Sequence, residues 1–237
     1  MLVPVRDGVA TIWLDRPDRG NALSPAMVQR LYSFISAALG DRSVHTVVLR
    51  GQGKHFCTGF DISNLKSESD LTLRNRFMAI ESLLQLIWYA PVRTVAFGNG
   101  RVWGAGADIF ASCDIRACSI DTTFRFPGAA FGILLGTRRL AELIGWNHAR
   151  PLVIEGATLD AHGALAAGLA TDVVDGDPGE WLGTRCTKPV VDRETFSAIR
   201  AVIRGDHRAE DERTLNLSAS RKGLMQRIEH YRQRSRG

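Results

Sequence analysis

Two glycine-rich segments constrain this chain more than any other feature, each placed after a run of β-branched residues and before a helical pattern. The first is His55-Phe56-Cys57-Thr58-Gly59-Phe60-Asp61-Ile62; the second runs from Gly98-Asn99-Gly100 through Trp103-Gly104-Ala105-Gly106-Ala107-Asp108. Glycine at such junctions permits positive φ and close backbone approach, and the helix that follows begins with N–H groups lacking an intrahelical acceptor. Those groups favour developing negative charge. Either turn alone signals little more than chain reversal. Placed side by side, one N–H from each converges on a carbonyl oxygen and stabilises the oxyanion formed there.

The flanking segments fit repeated passage from strand to helix. Val9 to Leu14 reads as a strand after the turn pair Asp7-Gly8, and Thr46 to Leu49, Val92 to Phe97 and Ile115 to Cys118 read likewise. Ser24 is placed as an N-cap with Pro25 at the first helical position, and the apolar spacing then continues to Gly40. A second amphipathic helix is expected from Leu71 to Tyr89, ended by Pro91, and a short one from Trp103 to Ala111. This alternation predicts an α/β protein, either a spiral or a doubly wound sheet. Beyond Thr137 helices dominate, over 138–144, 148–154 and 160–167, with a short strand at Val173-Val174. The tail from Glu194 to Arg234 shows two helical patterns joined near Gly205. One α/β core over 1–190 and a helical packing region over 191–237 follow.

Composition narrows the function classes. With 237 residues, 45% hydrophobic and 23% charged, the chain suits one compact domain without a long disordered tract. Its apolar runs are too short to span a bilayer and its first eight residues lack a secretory pattern, so a cytoplasmic protein is expected. The four cysteines form no C-x-x-C pair, which argues against a disulfide framework or a zinc site. The net charge of +5 gathers at Arg221, Lys222, Arg227, Arg232, Arg234 and Arg236. Interleaved with acids and apolars, these read as a solvated helix face rather than a nucleic-acid surface, although a mildly basic protein suits a polyanionic ligand. G-x-G-x-x-G, G-x-x-x-x-G-K-[ST] and G-x-S-x-G patterns are all missing, which removes dinucleotide, P-loop and α/β-hydrolase readings. His55, His148, His162, His207 and His230 are scattered without triad or metal-ligand spacing.

The motifs, taken together and in order, resemble the crotonase (enoyl-CoA hydratase/isomerase) superfamily. Arg16-Pro17 with Asn21-Ala22-Leu23 is similar to its R-P-x-x-x-N-A-L loop, and Phe56 to Ile62 to F-C-A-G-x-D-L. Asn99-Gly100 through Gly106 is similar to N-G-x-x-x-G-x-G, and Cys113 to Ala117 to C-D-[IL]-x-x-A. The resemblance covers about residues 5 to 175. It implies a spiral of β-β-α units, trimers or dimers of trimers assembled through C-terminal helices, and an acyl-CoA thioester substrate. No tightly bound cofactor, nucleic acid or membrane partner is implied; coenzyme A enters as part of the substrate.

Carried over by position, the oxyanion donors are the backbone N–H groups of Phe60 and Ala105, and Asp108 stands where the family has its first catalytic glutamate. Arg16, Arg19, Ala22, Thr58, Asp61 and Ile62 fall along the coenzyme A, with Asp61 itself expected to cap a turn. Trp103, Gly104, Phe126 and Gly128 fall around the acyl group. The second glutamate of the hydratases becomes Gly128, and the loop from Gly132 to Thr137 is short. Paired carboxylates share acid and base duty in hydration, so a single one points to isomerisation, decarboxylation or thioester hydrolysis instead. A non-catalytic acyl-CoA-binding subunit is the alternative, and Asp121, Glu142 or Asp160 are candidates to replace the missing carboxylate.

Overall fold

The computed structural model describes residues 5–234; the basic residue Arg236 and the first four residues of the N-terminal reading lie outside that range. Strands β1 (Val5–Arg6) and β2 (Val9–Leu14) pair antiparallel across Asp7-Gly8. Helix α1 (Pro25–Gly40) starts as its sequence requires, the Ser24 hydroxyl accepting the Met27 N–H at 3.2 Å with Pro25 in the first turn. β3 (Thr46–Gly51) runs parallel to β2. α2 (Asp70–Trp88) opens on a capping box between Ser69 and Thr72.

β4 (Arg93–Gly98) continues the parallel sheet, and the glycine turn after it throws the chain out of that sheet into β5 (Arg101–Trp103) and then α3 (Ala105–Ser112). β6 (Ile115–Ser119) returns to the sheet and β7 (Thr123–Arg125) leaves it again to lie beside β5. A 3-10 turn at Pro127–Phe131, α4 (Thr137–Val153), β8 (Leu159–Asp160), α5 (Ala161–Ala166) and β9 (Asp172–Val174) follow. The main sheet has the order β1-β2-β3-β4-β6-β9 and the smaller one β5-β7-β8. The parallel strands are covered on both faces, which is why Val47, Val48 and Leu49, or Val95, Ala96 and Phe97, are all buried rather than alternating.

Five details depart from the expected elements. Trp103 lies in β5, because Gly104 at φ 54° and ψ −131° delays α3 until Ala105. The first glycine segment does not enter a helix directly; a 3-10 turn at Leu65–Ser67 precedes α2. The two patterns over 138–154 are one element kinked at Gly145, whose φ of 73° breaks the helix. The tail holds three helices, not two: α7 (Arg193–Arg204), α8 (Arg208–Ala219) and α9 (Leu224–Arg234), the last break falling at Gly223 with φ 77°. A short α6 (Pro178–Arg185), capped by Asp177, was not anticipated at all.

α8 buries Leu215 and Ala219 in the same core as Leu83 and Leu84 of α2, while α9 buries Leu224 and Ile228. The Asp70 carboxylate accepts the Gly223 and Met225 N–H groups at 2.8 and 2.9 Å, and Arg227 Nε donates to the Phe131 carbonyl at 2.9 Å. These bonds lock α9 to the start of α2 and to the 3-10 turn. All four cysteines are free and buried. Among the described residues no helix is long and apolar enough to cross a membrane.

Candidate active site

The two glycine turns touch. A Cβ placed on Gly59, which has φ 99°, would stand 2.9 Å from the Trp103 oxygen and 3.5 Å from the Ala105 nitrogen; one on Gly106 would stand 2.6 Å from the Cys57 oxygen. Only glycine allows this approach. The turns are stitched by Phe56 N–H to the Asn99 carbonyl at 2.8 Å, Cys57 N–H to that of Arg101 at 3.2 Å, and Trp103 N–H to that of Cys57 at 2.9 Å. Leu23 donates to the Gly59 carbonyl at 2.8 Å, and Asp61 to that of Leu23 at 3.3 Å. The N–H groups of Phe60 and Ala105 take no part in this stitching. That of Ala105 opens α3, where no intrahelical acceptor exists.

Both residues line a cavity of about 210 Å3. Of the positions expected from sequence, Thr58, Phe60, Ile62, Trp103, Gly104, Ala105, Asp108, Phe126 and Gly128 lie on its wall. Arg16, Arg19, Ala22 and Asp61 do not. Arg16 binds Asp61 at 2.9 Å and the Ala22 carbonyl at 2.7 Å, so the loop is pinned to the first glycine turn outside the cavity. Asp61 also accepts the Ser63 N–H at 2.9 Å, which is the turn-capping role expected of it. Arg19 is exposed, 3.6 Å from Asp18.

Sequence reasoning missed the remaining wall: Phe77 of α2, Phe131, Ile133, Leu135, Leu140 and Val153 around α4, and Ile228 and Tyr231 of α9. The spacing of Leu224, Ile228 and Tyr231 marks an apolar stripe on α9, but nothing in it tells what that stripe faces.

Asp108 is the one carboxylate on the cavity wall among the described residues. It is 9% exposed, and no hydrogen bond to its carboxyl group is found among those residues. Burial pushes it up to about 7 from an ordinary 3.8; the Arg139 guanidinium opposes the shift and Glu81 reinforces it. Gly136 backs directly onto it, since a Cβ there would sit 2.1 Å from Oδ1. Beneath lies a buried network joining α2, α4 and α8. Arg139 donates to both oxygens of Glu81 at 2.9 and 2.5 Å and lies 2.9 Å from Asp211, which also takes two bonds from Arg138 at 2.8 Å.

The candidate substitutes for the missing glutamate are committed elsewhere. Asp121 accepts from Ser119 Oγ at 2.6 Å, Glu142 pairs with Arg138, and Asp160 caps α5 through the Gly163 N–H at 2.7 Å; none lines the cavity. His55 braces the second turn, its Nδ1 lying 3.2 Å from the Arg101 nitrogen. No group of three or more His, Cys, Asp or Glu residues among the described residues is placed to hold a metal ion.

Nested β-β-α turns over a largely apolar cavity define a crotonase fold. Residues 5–180 match the enoyl-CoA hydratase/isomerase family, and the chain belongs to it. It is 34% identical over 170 residues to the Mycobacterium tuberculosis protein named as a probable enoyl-CoA hydratase, echA6, which covers 70% of this chain and 68% of that one. It is 31% identical over 180 residues to the short-chain-enoyl-CoA hydratase of Clostridium acetobutylicum, covering 74% and 68% respectively. Among solved structures, a Bordetella parapertussis protein assigned to the enoyl-CoA hydratases/isomerases superposes with a TM-score of 0.91 at 33% identity, over 97% of this chain and 96% of that one.

Proposed function

We propose that this acyl-CoA-processing enzyme moves a proton along the acyl chain with one carboxylate, shifting a double bond next to the thioester rather than adding water to it. The observation that carries this is Asp108, held near neutrality by burial on a cavity wall where Gly128 supplies no second carboxylate. As carboxylate, Asp108 takes a proton from the carbon beside the thioester carbonyl. The electron pair moves into the enolate, whose oxygen accepts the N–H groups of Phe60 and Ala105. The protonated carboxyl then returns the same proton two carbons further along, so nothing is gained or lost. A group titrating near 7 serves both halves of this exchange.

The same proposal places the coenzyme A along the rim formed by Arg16, Arg19, Ala22, Thr58, Asp61 and Ile62, and leaves association with further copies to the exposed Ile199, Val202 and Ile203 of α7. The test is turnover of 3-enoyl-, 2-enoyl-, β-keto- and malonyl-type CoA thioesters by wild type and Asp108→Asn, with CoA binding measured alongside. Isomerisation of the 3-enoyl thioester that collapses in the variant while binding persists is the expected result. Binding without turnover of any thioester in either protein would instead make the chain a non-catalytic acyl-CoA-binding subunit.

A further inference from the structure

The distal half of the cavity belongs to neither glycine turn, and its construction is specific. Phe60, a donor residue, stacks on Phe77 with ring centroids 4.2 Å apart and planes 13° apart; Phe77 lies 6.4 Å from Phe131, and Phe131 lies 5.3 Å from Tyr231 of α9. This aromatic wall leads from the oxyanion donors to the C-terminal helix. There Ile228, 2% exposed, and Tyr231 line the cavity. The end wall is fixed, because Asp70 caps α9 and Arg227 ties it to the Phe131 carbonyl.

Size and polarity then limit the occupant. Asp108 is the one charged side chain on the wall among the described residues, so a charged acyl terminus would be buried without a partner. An apolar cavity of about 150 Å3 takes one benzene ring. The observed 210 Å3, which also has to hold the thioester end beside Phe60 and Ala105, therefore has room for one ring and little more. The rings on the wall offer edges and faces to another ring, an arrangement that adds to simple area burial.

We propose that the acyl group for which this site is built is an uncharged aryl-substituted short chain, one ring on a short stem beyond the thioester, with Ile228 and Tyr231 of α9 as the residues that set its length. This rests on the acyl-CoA reading above and adds the acyl class to it.

The experiment measures dissociation constants of acetyl-, phenylpropanoyl- and dodecanoyl-CoA, all saturated and unreactive in the isomerisation, for wild type and three variants. Wild type should bind phenylpropanoyl-CoA at least tenfold more tightly than either of the others. Ile228→Ala should improve dodecanoyl-CoA about tenfold relative to acetyl-CoA, since each newly buried methylene is worth about fourfold. Ile228→Trp should erase the phenylpropanoyl advantage while acetyl-CoA binds as before. Tyr231→Ala, which removes the other side chain of this wall, should likewise improve dodecanoyl-CoA relative to acetyl-CoA.

Wild type binding dodecanoyl-CoA as tightly as phenylpropanoyl-CoA would overturn the proposal. So would an order that neither Ile228 variant moves, acetyl-CoA binding showing that both are folded. Failure of wild type to bind any of the three, acetyl-CoA included, would remove the acyl-CoA reading itself and this proposal with it.

Discussion

Asp108→Asn separates the structural cost of the buried carboxyl group from its chemical use. In the unfolded chain this group ionises near its ordinary 3.8, and in the folded protein at about 7. Between those values the folded state holds a proton that the unfolded state has released, so unfolding gives up protons and stability falls as pH rises through this window. The contribution is fully present below about pH 4 and lost above about pH 7. A separation of roughly three pH units, at about 1.4 kcal/mol each, amounts to about 4 kcal/mol. Asparagine has nearly the same shape and no charge to desolvate. The variant should match wild type in stability near pH 4 and exceed it by up to about 4 kcal/mol at pH 8.

Urea unfolding of both proteins at several pH values between these limits measures the difference directly. A stability gap that stays constant with pH would refute the reasoning, because no other difference between the two side chains titrates. The catalytic counterpart runs the opposite way. A base must be ionised to accept a proton, so wild-type kcat/KM should rise as pH passes through about 7, over the same interval in which stability declines.

Four further outcomes follow from named geometry. Gly136→Ala puts a methyl group 2.1 Å from Asp108 Oδ1, so the carboxyl must swing away; turnover should fall at least tenfold, with a stability loss of about 1–3 kcal/mol from the crowding, and unchanged turnover would show that the carboxyl position is immaterial. Arg139→Met leaves Glu81 buried without its cation and should cost about 3–5 kcal/mol in chemical denaturation; a loss below about 1 kcal/mol would contradict it. Asp70→Ala removes the cap from α9, and hydrogen exchange should show the α9 amides about 1 kcal/mol less protected while α2 beyond its first turn stays unchanged. Gly128→Glu installs a second carboxyl on the cavity wall, where the new Cβ meets the Ile133 oxygen at 3.1 Å; hydration of a 2-enoyl thioester should appear in the variant and be missing in wild type.

What the sequence makes legible here is whatever is encoded within a few residues. The Ser24-Pro25 start of α1, the apolar spacing of α2 and the β-branched runs of β2 to β4 are local signals, and each produced its element within a residue or two. The glycine turns were equally legible, because positive φ at Gly59 and Gly104 is a property of the residue itself. β5, β7 and β8 have three residues or fewer, too short for any period to show, and they exist because the turn after β4 delivers one strand against another. The cavity divides the same way. Phe60, Ala105 and Asp108 come from the turns themselves, whereas Gly136, Arg139 and the α9 wall reach the site only through tertiary packing. The R-P-x-x-x-N-A-L loop was visible as a motif, yet its place on the rim outside the cavity depends on the Arg16–Asp61 pair and was not.

The departure at Gly128 and the state of Asp108 bear on one another. The donors proposed for the oxyanion are backbone groups, which any side chain at 60 or 105 would leave in place, so in this proposal the choice among reactions falls to the carboxyl groups on the wall. Two carboxylates facing one cavity perturb each other and keep enough polar surface to hold a water between them. With glycine at 128 the cavity wall carries Pro127, Ala129 and Ile133 and no carboxylate besides Asp108 among the described residues, so a water required for addition would find few polar partners on it. Burial lifts Asp108 to about 7, a value suited to both accepting and returning a proton. Glycine at 128 and a carboxyl of this kind at 108 are together what favours, in the proposed reading, transfer of a proton between carbons over addition of water.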